Sequence, residues 1–417
     1  MGKQRQRPRR PPTGSKPNLS GLQAVKRPAA LSNQKFEPLP PPAGAAPFHV
    51  TLSSFLPKTT VDMITAAKKL VIHCVGDTGG INQAEPQQIV ANHMVADLGT
   101  APSPDAPALF YHLGDVVYFY GEHEHYYGQF YEPYSEYSAP ILPIPGNHDG
   151  DIPPHLNIRS LDAFVENFCA PKGTKTPESG DTTRPAATLP NVYWTLETPF
   201  ATLVGTYTNV PDGGRIQPEQ QAWLTKEFSS APVDRALIVA FHHPLISLDG
   251  HHSGSTHVHD ALDAAAKDSG RIPDLVLTAH VHNYQRFTRR WNGRTVPVIV
   301  AGAGGYPNLH YMTHQLGWPI KLPFKVPPSA ANGIDATLEA FSDDHHGYLI
   351  LELSSSQIRG TYFTVPRPQD PWRAPATAID TFAVDLSKHA LMSRAPKRPP
   401  ALGGLTGIGV SGGRKRR

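Results

Sequence analysis

Five short apolar runs in this chain end in polar side chains able to hold a metal ion. VGDTGG carries Asp77, and LGDVVY carries Asp115 with Tyr118 three residues on. PGNHDG carries Asn147 and His148, VAFHHP carries His242, and TAHVH carries His280 and His282. A glycine precedes Asp77, Asp115 and Asn147, where it lets a strand turn sharply and present the next side chain. Each fragment alone has a bland reading: a helix N-cap for Gly-Asp, a turn for Gly-Asn-His-Asp, two surface histidines for Ala-His-Val-His. The repeated placement at strand ends tips the balance, because the carboxyl ends of strands in an open α/β sheet converge on one crevice. Seven oxygen and nitrogen donors with no thiolate among them suit two hard or borderline cations.

The elements that must position these donors are legible as apolar runs. KLVIHCV (69–75), ALFYHL (108–113), APILPIP (139–145), RALIVAF (235–241) and DLVLTA (274–279) read as buried strands. Further β-rich runs lie at 191–207, 295–305, 346–353 and 358–365. Helical patterns are expected at 87–98 and near 122–132, 160–169, 217–228 and 257–267. The alternation predicts an α/β fold with two stacked mixed β-sheets flanked by helices. Residues 171–190 show no periodicity and read as a long surface loop, with a place over a site as one option.

Charge is informative only when divided along the chain. Residues 1–35 hold nine Lys/Arg and residues 391–417 hold seven, neither stretch with any Asp/Glu, leaving 22 basic against 35 acidic residues between them. A body with a formal charge of about −13 needs metal ions or a local positive patch to handle an anion. The expected organisation is a disordered, basic, Pro-rich arm (1–46), a catalytic domain (47–390) and a basic Gly/Pro-rich tail (391–417). The tails could touch polyanions weakly; a solubilising role is the plainer reading. Two cysteines, Cys74 and Cys169, make no disulfide framework and read as buried thiols. No run reaches the roughly 18 apolar residues of a membrane span, and the N-terminus lacks the apolar segment of a secretion signal. Cytoplasmic residence is the default, with export left open, and oligomeric state is undetermined.

Taken together, the blocks resemble those of the calcineurin-like metallophosphoesterases, and more narrowly the purple acid phosphatases, whose pattern runs G-D-x-G, G-D-x-x-Y, G-N-H-[DE], V-x-x-H, G-H-x-H. The chain departs at Ala279, where the family has glycine, and the likeness covers roughly residues 68–365. The resemblance implies the four-layer metallophosphoesterase sandwich. It also implies a first metal held by Asp77, Asp115, Tyr118 and His282, and a second held by Asp115, Asn147, His242 and His280, with Asp115 bridging. Carboxylate and phenolate suit Fe(III) at the first site; Asn and imidazoles suit Fe(II), Zn or Mn at the second. Other members of the wider superfamily carry a His two residues after the first Asp; Gly79 stands there, so Tyr118 takes over that position.

The activity so implied is binuclear-metal hydrolysis of phosphoric monoesters, acid-phosphatase-like, with a metal-bound hydroxide as nucleophile and a small phosphoester as substrate. His148 resembles the family's outer-sphere histidine on the substrate phosphate. His251 and His252, nine and ten residues past His242, match a paired substrate-side motif suited to substrate contact or to protonating the leaving group. Two alternatives stand beside this reading: a phosphodiesterase on the same scaffold, and a non-catalytic polyanion-binding protein acting through its basic tails.

Overall fold

The computed structural model describes residues 35–153, 156–371 and 374–393. Most of the expected arm (1–34) and of the expected tail (from 394) lies outside the described residues. Where the arm is described it is tied to the body: Glu37 N donates to Asn209 Oδ1, Asn209 Nδ2 donates to Glu37 O, and Gly44 N donates to Pro190 O.

In chain order the strands are β1 (His49–Thr51), β2 (Leu70–Val75), β3 (Leu109–His112), β4 (Ile141–Pro143), β5 (Trp194–Glu197), β6 (Ala201–Gly205), β7 (Ala236–Ala240) and β8 (Leu275–Thr278). There follow β9 (Tyr284–Trp291), β10 (Arg294–Ala301), β11 (Phe324–Lys325), β12 (Ala336–Ser342), β13 (Gly347–Leu353), β14 (Gln357–Thr364), β15 (Thr377–Asp385) and β16 (Ala390–Leu391). The helices are α1 (Leu52–Phe55), α2 (Lys58–Ala67), α3 (Glu85–Leu98), α4 (Asn147–Gly150), α5 (Asp162–Phe168), α6 (Pro218–Ser230) and α7 (Thr256–Ser269).

The two expected sheets are halves of one curled path, β1-β5-β6-β7-β8-β10-β16-β15-β14-β13-β2-β3-β4, with β9, β12 and β11 branching from β10. The ends of the path face each other. Tyr111 on β3 packs against Trp194 on β5 with ring centroids 5.3 Å apart, and Trp194 Nε1 donates to Pro143 O on β4. Two parallel cores, β2-β3-β4 and β6-β7-β8-β10, carry the site; β13 to β16 join them, antiparallel to one another and to β2, with β16 parallel to β10. Every residue of β2, β3, β7 and β8 is buried, as expected of parallel strands covered on both faces.

The region near 122–132 departs from expectation. It forms a 3₁₀ turn, His123–His125, and then one wide π-type turn, Tyr127–Tyr131, instead of a regular helix. The wide turn places Gln129 so that its side chain holds Tyr118 at both backbone groups, accepting from Tyr118 N at 2.9 Å and donating to Tyr118 O at 2.8 Å. Both cysteines are buried and unpaired. No helix among the described residues is long and apolar enough to cross a membrane.

Candidate metal centre

The donors stand just past the ends of the parallel strands: Asp77 follows β2, Asp115 follows β3, Asn147 opens α4 after β4, His242 follows β7 and His280 follows β8. Asp77, Asp115 and His280 themselves take left-handed backbone conformations, with φ of 57°, 53° and 65°. Such geometry costs about 1–3 kcal/mol per non-glycine residue and persists where surrounding contacts enforce it. At Gly76 and Gly146 the glycine serves proximity instead. A Cβ on Gly146 would collide with the Asp115 carboxylate, and one on Gly76 would come within 2.6 Å of the Ala279 methyl.

Two groups of donors result, joined through one backbone amide. In the first, the Tyr118 hydroxyl donates to Asp77 Oδ1 at 3.1 Å and lies 3.4 Å from His282 Nε2, which is 3.5 Å from the same Asp77 oxygen. In the second, Asp115 Oδ2 lies 3.3 Å from His242 Nε2, and Asp115, His242 and His280 offer donor atoms all within 4.8 Å of one another. His280 N donates to Asp77 Oδ2 and links the groups. Backbone carbonyls set the tautomers. His242 Nδ1 donates to Leu113 O and His282 Nδ1 to Asn308 O, so a neutral ring of either turns the Nε2 lone pair toward the carboxylates. Asp115 Oδ2, Asn147 Oδ1 and His242 Nε2 are buried with no hydrogen-bond partner. Buried orphans cost about 1–3 kcal/mol each, and a cation between them would satisfy all three.

The electrostatics fit the same reading. Burial pushes the Asp77 carboxyl up to about 8. Burial would raise Asp115 too, but the His242 and His148 imidazoles beside it hold it below the usual carboxylate range. Burial lowers His282 to about 4 and His280 well below the usual histidine value, leaving both neutral as metal ligation requires. Burial, reinforced by Asp115 and Asp77, holds the Tyr118 proton on. Asp149 ties the turn together, its carboxylate accepting from Gly146, Val116 and Val117 N.

A cavity of about 280 Å³ opens over the donors. His148 lines it, with Nδ1 donating to Phe119 O and its backbone N donating to Asp115 Oδ1. Of the paired histidines, His252 lines the cavity and packs 4.7 Å from His280, whereas His251, outside the lining, packs against His310 with the rings tilted by 44°. His243 also lines the cavity, with Nδ1 on the Thr208 hydroxyl. His310 lines the cavity at 4.4 Å from the His282 ring, and Asp249 reaches it at 3.3 Å while accepting from the backbone of His251 and His252. His310, Tyr306 and Asp212 come from irregular loops that carry no strand-end signal. The turn at 301–305 approaches closely: Gly302 lies where a Cβ would come 2.7 Å from Asp77 Oδ2, and Gly304 N donates to Gly76 O. No residue of 171–190 lines the cavity; that loop packs on Tyr127, Tyr131 and His123.

The family model "Calcineurin-like phosphoesterase" matches residues 70–284, half of the chain. Purple acid phosphatase 18 of Arabidopsis thaliana is 29% identical over 178 residues, 40% of this chain; the match spans about a third (36%) of that relative's length. Among solved structures, a purple acid phosphatase from yellow lupin (Lupinus luteus) seeds superposes with a TM-score of 0.54 at 16% identity, covering 76% of this chain and 54% of that one. The protein described as the anchor in the inner membrane complex of Plasmodium gives a TM-score of 0.52 at 16% identity, over 76% of this chain and 89% of its own. These two are likenesses of fold.

Proposed function

The chain belongs to the calcineurin-like phosphoesterases, and from that premise we propose that it hydrolyses phosphoric monoesters at a two-metal centre of the purple-acid-phosphatase kind. Asp77, Asp115, Tyr118 and His282 would hold one cation; Asp115, Asn147, His242 and His280 would hold the other. The observation that carries the reading is a set of three orphaned buried atoms, Asp115 Oδ2 and His242 Nε2, 3.3 Å apart, and Asn147 Oδ1, whose residue lines the same cavity as Asp115, beside the mutually close set Asp77, Tyr118 and His282. Once bound, two such cations acidify a water and neutralise phosphoryl charge, which lets an acidic body accept an anion. Phenolate and carboxylate favour Fe(III) at the Tyr118 side; Asn and imidazole favour Fe(II), Zn or Mn at the other.

Around the metals, the protein's own groups orient and protonate. His148 faces the cavity with its tautomer set by Phe119 O, so a neutral ring presents Nε2 as an acceptor and a protonated one presents a donor to a phosphoryl oxygen. His252 and His310 line the cavity, and in this reading they give a proton to the departing alkoxide. Metal analysis of purified protein together with rates on 4-nitrophenyl phosphate and bis(4-nitrophenyl) phosphate tests the proposal. Two metal equivalents and a faster monoester reaction are expected. Turnover of the diester alone sinks the monoesterase assignment and leaves the family untouched.

A further inference from the structure

Beyond the metal donors and the imidazoles, the outer wall of the cavity has its own chemistry. No Lys or Arg among the described residues lines it. The one formal charge on the outer wall is Asp212, exposed in the turn before α6 and close enough to act electrostatically on His252. The same cavity is lined by two aromatic rings, Phe119 and Tyr306, with ring centroids 6.3 Å apart and planes at 74°, forming a corner. Tyr306 is fixed there. Its ring packs on Tyr118 at 4.2 Å and on His282 at 4.5 Å, and its carbonyl accepts from the buried His346.

A carboxylate and an aromatic corner lining one small cavity attract organic cations, through charge and through the negative faces of the rings. The same carboxylate repels a leaving group that carries a second anionic charge. Beyond the cavity, the body with 22 basic and 35 acidic residues draws cations toward the site and slows the approach of anions. The cavity, about 280 Å³, falls at the small end of ligand pockets, which run to about 300–1,000 Å³.

Resting on the phosphatase reading above, we propose that the preferred substrates are small phosphomonoesters whose leaving alcohol carries an ammonium group, of the choline or ethanolamine type, with Asp212, Phe119 and Tyr306 holding the ammonium end. Hydrolysis then balances with water alone. The water oxygen bonds to phosphorus as the P–O bond to the alcohol breaks, one water proton goes to the alcohol oxygen, and the products are the amino alcohol and inorganic phosphate.

The test compares choline phosphate with 3,3-dimethylbutyl phosphate, which has the same shape with a neutral carbon in place of nitrogen, on the full metal-loaded chain. We expect kcat/KM to favour choline phosphate by about tenfold, with the difference mostly in KM. In Asp212→Asn the ratio should fall toward one, and Asp212→Glu should restore most of it. A wild-type ratio at or below one overturns the proposal. So does an Asp212→Asn variant in which both rates fall together at an unchanged ratio, since Asp212 would then act only by orienting His252. Should the protein fail on both esters and on 4-nitrophenyl phosphate as well, the phosphatase reading itself falls and this proposal with it.

Discussion

Tyr118 holds its phenolic proton against strong opposition from its surroundings. The side chain is fully buried, its hydroxyl donates to Asp77, and both Asp77 and Asp115 disfavour a second negative charge nearby. Removing that proton calls for a strong Lewis acid, which is the physical argument for a trivalent ion on this side of Asp115. Tyr118→Phe keeps the ring, and with it the packing on His148 and Tyr306, while deleting the oxygen. In the iron-loaded protein the visible tyrosinate-to-iron(III) band should vanish, and kcat should fall about 10- to 100-fold, the range seen when one partner of a metal site is lost. A colourless, active protein containing only Zn or Mn would remove the iron assignment and keep the phosphoesterase.

The loops that follow the strands convert donor identity into geometry, and the tightest approach to a candidate donor is at Gly146. A methyl group there meets the Asp115 carboxylate and the Asp115 backbone N, so Gly146→Ala should displace the one residue shared by both donor sets. The expected outcome is a folded protein that loses most of its bound metal by elemental analysis and at least about 100-fold in kcat/KM. Gly128, where an added Cβ meets nothing within 4 Å, is the control, and Gly128→Ala should leave metal content intact. If the two variants retain metal equally, Asp115 is not the bridge.

This scale also explains what could be read from the sequence. The seven candidate donors stand out in the sequence because each lies just past a largely apolar run, as parallel strands covered on both faces tend to be; β2 carries one polar side chain, His73, and β8 one, Thr278. β9 escaped notice because Arg286 and Arg289 interrupt its apolar pattern, and only the fold supplies their partners, Asp380 and Asp263. The Gln129 clamp was hidden because the regular helix expected near 122–132 gives way to a wide π-type turn, Tyr127–Tyr131, which changes where Gln129 points. Asp212, Tyr306 and His310 reach the cavity from irregular loops, where position depends on distant contacts such as Asp249 with His310.

At the scale of the whole molecule, the acidic body sets how the fold responds to losing its cations. In protein stripped by a chelator, burial holds Asp77 up at about 8, above its unfolded value of 3.8. Burial opposes a proton on His242, but Asp115 and Asp77 outweigh it and raise the ring to about 9, above 6.5. Both groups bind protons more tightly in the folded state, so the stability each contributes is present at low pH and drains away as pH climbs to its folded value. His282 works in the opposite sense: lowered by burial to about 4, it adds stability as pH rises, and that gain is complete near 6.5. Between about pH 6.5 and 8 the remaining trend is therefore loss of stability with rising pH. Bound cations replace those protons and remove the slope. Thermal melts across this window should show Tm falling with pH in the chelated protein and nearly level in the metal-loaded one, so that stabilisation by metal grows with pH. Parallel slopes in the two forms would mean that the cations do not sit against Asp77 and His242.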